Sequence, residues 1–153
     1  MAIIHRATLT PSKAELLSGW LAVDVEVLGA FRYDDPAGEV GVEAFLLRVG
    51  DQVRHVPLTY RGAPHESATL VGTLEHSVLG TRWVYDGTTD PVALGCYERA
   101  LAGEQEQAVL ELWDAGELVD RLPGSVVVRR EGEGAGARLV ATWDGGSLVV
   151  AGD

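Results

Sequence analysis

The chain has 153 residues, 46% of them apolar and 23% charged, with a formal net charge of −11. That length fits one domain with a real core and leaves no room for a catalytic domain plus an independent substrate domain, and the composition excludes wholesale disorder. The acidic balance excludes a polyanion-binding surface, since phosphate affinity comes from clustered Lys and Arg, so no nucleic acid is expected as a partner.

At the N-terminus, "AIIHRATL" has the makings of a short strand, and no run is long and apolar enough for a signal peptide or a membrane span. A single cysteine, Cys96, permits no internal disulfide. Together these point to a cytoplasmic protein with no membrane partner. "TPSKAELLSGWLA" reads as a helix in which Thr10 caps, Pro11 takes the first turn, and Leu16, Leu17, Trp20 and Leu21 share a side.

Three strands follow. In "DVEVLGAFRY" Val25, Val27, Phe31 and Tyr33 have one parity, and "DDPAGE" supplies a turn. In "VGVEAFLLRV" both parities are apolar, the pattern of a strand covered on two sides. "VGDQ" reverses the chain into "VRHVPLTY", which sets Val56, Leu58 and Tyr60 on one side. Such short connections favour an antiparallel meander. Pro57 lacks a donor and places its strand at an edge or bulge.

The densest run of distinctive residues is "HSVLGTRWVYDGTTDPVALGCYERAL", His76 to Leu101. Asp86, Asp90 and Glu98 are of the type that binds hard cations or shares protons. Local chemistry explains them more simply: Asp86-Gly87 makes a turn, and Asp90 caps a helix that starts at Pro91 and carries Leu94, Tyr97 and Leu101 at helical spacing. Trp83 and Tyr85, two apart, share a strand face. Arg82 suits a carboxylate or phosphate, or lies along apolar surface.

Beyond it, "GEQEQAVLELWDAG" is expected to be a further helix with Val109, Leu112 and Trp113 inward, and Glu104, Glu106, Glu111, Asp114 and Glu117 form an acidic face free of Lys and Arg. The tail "SVVVRREGEGAGARLVATWDGGSLVV" reads as strands joined by an acidic loop and a "DGG" hairpin turn. The fold class is therefore α+β: a curved, mainly antiparallel sheet flanked by two or three helices, in a single domain over residues 1–153.

The chemical motifs are weak. Of the four histidines, His5 and His55 alternate with apolar neighbours, and His65 and His76 stand near turns and near Ser67 and Ser77. There is no HExxH, no Cys/His pair at ligand spacing, no GxSxG and no GxxxxGK[ST], and Lys13 is the only lysine. No metal site and no cofactor are predicted. A self-contained kinase is excluded, since its phosphate-handling lysine, catalytic aspartate and magnesium ligands form a connected set.

"HVPLTYRG" followed by "GTRWVYDGTTDPVALGCYERAL" resembles the N-terminal cap region of bacterial maltokinases and related sugar kinases. Pro57 and Leu58 fit its Val-Pro-Leu element; Val84, Tyr85, Asp86, Gly87, Asp90 and Pro91 fit its second element, and the resemblance is strongest over 24–102. Nothing from Arg121 to Asp153 resembles the kinase lobes, so ATP and maltose binding are not carried over. The resemblance implies a stand-alone, non-catalytic cap-like domain for interaction or regulation. Its expected partner is an enzyme of carbohydrate metabolism or a second copy, with Tyr60, Trp83 and Tyr85 as binding anchors. Two other readings compete with it. One is a small enzyme with His76 as proton carrier, Asp86 as its orienting group and Arg82 as anion holder; the other is a sugar-binding or sugar-phosphate-binding pocket beside the sheet.

Overall fold

The computed structural model describes residues 2–5, 7–122 and 125–152. Those residues form an α+β fold with a curved, mostly antiparallel sheet flanked by two helices. The strands are β1 (Ala2–His5), β2 (Leu9–Thr10), β3 (Glu26–Asp34), β4 (Gly41–Val49), β5 (Gln52–Arg61), β6 (Leu70–His76), β7 (Gly80–Asp86), β8 (Leu110–Asp114), β9 (Glu117–Leu122), β10 (Val127–Glu131), β11 (Arg138–Trp143) and β12 (Gly146–Gly152). The helices are α1 (Lys13–Leu21) and α2 (Pro91–Leu101).

The central sheet has six strands in the order β2-β6-β7-β5-β4-β3, and two three-stranded sheets, β1-β8-β9 and β10-β11-β12, accompany it. The expected meander is present in β3-β4-β5. The chain then crosses over, so that β7 pairs with β5 and β6 lies outside it. One pairing is parallel, β1 with β8.

β4 is buried on both faces, as its doubly apolar pattern requires. Val42, Ala44 and Leu46 enter a cluster with Phe31, Tyr33, Ala93, Cys96, Tyr97, Leu139 and Ala141, beneath α2 and β11. Phe45 and Leu47 enter a second cluster with Leu17 of α1, Val56, Leu58, Tyr60, Leu74 and Val84.

Several expectations are corrected. The cap of α1 is Ser12, not Thr10, because the sequence S-x-x-E closes a reciprocal box: Ser12 Oγ accepts from the Glu15 N–H at 3.1 Å and the Glu15 carboxylate accepts from the Ser12 N–H at 3.0 Å. Pro11 therefore precedes the cap. Val25 and Phe31 do not share a face: a bulge between Val27 and Gly29 shifts the register, sending Val25 to the α1 side and Phe31 to the α2 side and leaving Val27 42% exposed. β5 is an interior strand, yet Pro57 lies one residue beyond the last β7 pair, Leu58 with Asp86, so its missing donor breaks no bond there. The segment 103–116 is not a helix. Leu110–Asp114 is a strand between β1 and β9, and the two-residue turn at Ala115 (φ 52) and Gly116 (φ 81) starts the return strand.

Candidate functional site

The alternation that buries β4 twice also turns Glu43 toward α1, where a carboxylate needs partners. It has three. Lys13 Nζ from the first turn of α1 lies 2.8 Å from Oε1, Arg32 of β3 lies 3.2 Å from Oε2, and the Tyr60 hydroxyl of β5 donates to Oε1 at 2.6 Å. Burial pushes the Glu43 carboxyl up, but Arg32, Lys13 and the two hydrogen bonds together outweigh it and hold it below the usual range. Tyr60 moves the other way: burial and then the Glu43 charge keep its hydroxyl protonated.

Lys13, Arg32 and Tyr60 of this network line a cavity of about 520 Å³. Lys13, Arg32, His76 and Arg82 supply its basic groups, Leu9, Leu74 and Leu79 its apolar wall, and Asp34, Asp35 and Glu39 the rim from the β3–β4 turn. Tyr60 is committed in three directions: its hydroxyl to Glu43, its ring to Lys13 Nζ 5.1 Å from the centroid, and its carbonyl to Arg82 NH2 at 3.4 Å.

Of the trio His76, Arg82 and Asp86, the first two line this cavity and Asp86 does not. Asp86 lies at the far end of β7, where its Oδ1 accepts from the Thr88 N–H at 2.9 Å and caps a single 3-10 turn, Gly87–Thr89. His76 Nδ1 accepts from the N–H groups of Val78 and Leu79 at 3.1 and 2.9 Å, which puts the ring proton on Nε2.

Among the aromatic anchors, Tyr60 and Tyr85 are buried and Trp83 is half-buried. The Tyr85 hydroxyl accepts from the His65 N–H at 2.6 Å, and its ring meets that of His65 edge-on. Ser67 Oγ is 2.6 Å from His65 Nε2, an exposed contact within one turn, and Ser77 Oγ accepts from the Thr8 N–H at 2.8 Å. The side chain of His5 lies outside the described residues. Among those described, no group of three metal-ligating side chains converges, and no helix is long and apolar enough to cross a membrane.

Asp90 caps α2 as its position before Pro91 predicts, accepting from the Val92 N–H at 2.9 Å. It is also fully buried and takes a bond from Thr59 Oγ1 at 2.7 Å and two from Arg61. Across the same face His55 Nε2 meets the Tyr97 hydroxyl at 2.7 Å and its ring stacks on Phe31, with burial lowering its pKa to about 4.

Sequence reasoning passed over Lys13, Arg32 and Glu43 as a group. The available signal was Glu43 itself: a lone carboxylate inside a doubly apolar strand demands a cation from a neighbouring element.

Residues 19–90 match the family model for the maltokinase N-terminal cap domain. The matched span runs from the last turn of α1 to the Asp90 cap, so it holds Arg32, Glu43, Tyr60, His76 and Arg82 and leaves Lys13 outside. It corresponds to the cap and takes in no catalytic lobe. No curated protein and no solved structure matches the chain.

Proposed function

The chain carries a maltokinase N-terminal cap-like domain over residues 19–90, and from that premise we propose that it works as a non-catalytic interaction or regulatory domain that docks on an enzyme of carbohydrate metabolism. One observation supports this most directly. The buried ionisable groups of the matched span are tied up as structure, to partners inside and outside it: Glu43 to Lys13, Arg32 and Tyr60; Asp90 to Arg61 and Thr59; His55 to Tyr97. Meanwhile Trp20, Val23 and Val27, around the α1–β3 connection, keep 37%, 42% and 42% of their surfaces exposed. Catalysis would leave a perturbed group aimed at a reacting atom, whereas docking uses exposed apolar surface with charges at its rim. The lone, buried Cys96 supports placing this role in the cytoplasm.

The test is native mass spectrometry of the tagged chain recovered gently from its own cells, alongside Trp20→Ser and Val27→Ser variants. A stable complex with a sugar-metabolising enzyme that both variants weaken supports the docking role. A monomer or a self-oligomer, unchanged by either variant, overturns it.

A further inference from the structure

We propose that the cavity between α1, the β3–β4 turn and the β6–β7 hairpin binds a small organic oxyanion, a carboxylate or phosphate ester, gripped by the Arg82 guanidinium. Other partly buried arginines have strong local partners: Arg61 holds Asp90, Arg32 holds Glu43, and Arg99 donates to Gln105 at 2.8 Å. Arg82 has five N–H donors and, among the described residues, gives one long bond to the Tyr60 carbonyl at 3.4 Å. Burial lowers its pKa, so its charge stands partly out of water, and among the described residues no carboxylate is ion-paired with it. A planar fork of that kind matches an oxyanion in two-point geometry.

The surroundings favour the same ligand. Lys13 and Arg32, which line the cavity, are two cations sharing the single Glu43 carboxylate, so that trio carries one net positive charge. His76, with its proton on Nε2, lines the same wall. Gly62 faces Arg82 across the strand pair, where a Cβ would come within 3.2 Å of NH1, so its lack of a side chain keeps the guanidinium's position open. The acidic rim is the main objection. Its Asp35 oxygens already accept N–H bonds from Ala37, Glu39 and Val40, Glu39 is exposed and screened by water, and Asp34 is engaged in contacts of its own. The overall charge of −11 repels anions at long range, but at physiological ionic strength that field is screened beyond about 8 Å. A volume of about 520 Å³ with three leucines on one wall suits a ligand with a carbon body rather than a bare ion.

Calorimetric titration of the full chain with four probes tests this: a hexose 6-phosphate, gluconate, the neutral parent hexose and inorganic phosphate. The expected result is binding of at least one organic anion, weakened by salt and absent for the neutral hexose. Arg82→Gln should weaken it at least about tenfold, while Arg82→Lys, which keeps the charge and loses the fork, retains part of it. The proposal is overturned if no organic anion binds, if Arg82→Gln binds as tightly as the parent, if the neutral hexose binds as well as its phosphate, or if inorganic phosphate alone accounts for the affinity. Should Arg82→Gln fail to fold, amide shifts of the parent chain decide: changes clustered on the cavity residues Lys13, Arg32, Gly41, His76, Leu79 and Arg82 support the site, and changes clustered elsewhere or none overturn it.

Discussion

Arg61 holds Asp90 by two parallel bonds, Nε to Oδ2 at 2.9 Å and NH2 to Oδ1 at 2.8 Å, so the residue that starts α2 is also pinned to β5. Asp90→Ala should therefore cost more than a lost helix cap. A cap alone is worth about 0.5 to 2 kcal/mol, but breaking this pair strands Arg61 and Thr59, and we expect a loss of about 3 kcal/mol. Chemical denaturation measures it; a loss under about 1 kcal/mol would show that Asp90 acts as a cap alone. The carboxyl pKa follows from the same contacts. Burial raises it, and the bonds from Arg61, Thr59 and the Val92 N–H more than offset that, leaving it below the ordinary 3.8. The stability it contributes is thus present above that ordinary value and fades as pH falls through the folded one.

His55 gives a separate pH signature at milder acidity. Its folded pKa of about 4 lies below the ordinary 6.5, so the unfolded chain takes up the proton first. Stability is full above pH 6.5 and declines as pH falls toward 4, by up to about 3 kcal/mol. Most carboxylates titrate lower, which leaves the upper half of that window to histidine. Melting temperature followed between pH 7 and 4.5 should fall in the parent and stay flatter in His55→Gln; parallel curves would show that His55 is not the group responsible.

Two glycine substitutions should differ although their clashes are equally close. A Cβ on Gly87 would sit 2.9 Å from the Pro57 backbone carbon and oxygen, which cannot move without disturbing β5. Gly87→Ala should cost about 1 to 3 kcal/mol. A Cβ on Gly72 would meet Leu16 Cδ1 at 2.8 Å, and that methyl can rotate away, so Gly72→Ala should cost about 1 kcal/mol or less. Denaturation midpoints of the two variants side by side check the order.

Ala22 ends α1 in the left-handed region, φ 57 and ψ 34, where its N–H bonds the Ser18 carbonyl. A Cβ there costs roughly 1 to 2 kcal/mol, partly recovered because glycine loosens the unfolded chain. Ala22→Gly should raise stability by about 1 kcal/mol, visible as a higher melting temperature; a lower one would mean the residue is not held in this conformation.

What the sequence made legible was local or strictly periodic. Asp90 and Pro91 announced α2 because cap and first-turn chemistry involve adjacent residues. The double apolar pattern of β4 and the parity of Val56, Leu58 and Tyr60 reported burial directly. The segment 103–116 misled because Glu, Gln, Ala and Leu favour helix in isolation, whereas its conformation is fixed by pairing with β1, more than a hundred residues away in sequence. Its hairpin had a signal, the glycine of "DAGE", but Ala115 stands at φ 52, where glycine or asparagine would have made the turn plain. His76 and Arg82 of the cavity were conspicuous within one run, while Lys13, Arg32 and Glu43 come from a helix and two strands and meet only where α1 packs on the sheet.

The doubly buried β4 also fixes the chain's tolerance for insertion and deletion. Consecutive residues of this strand serve opposite cores, so losing one residue between Gly41 and Val49 would do more than shorten the strand. A loss ahead of Glu43 would turn it in among Phe31, Tyr33 and Tyr97, away from Lys13 and Arg32, and carry its neighbours across the sheet with it. Glu43 thus acts as a proofreading mark for the central sheet: a one-residue slip of β4 takes its carboxylate away from Lys13, Arg32 and Tyr60.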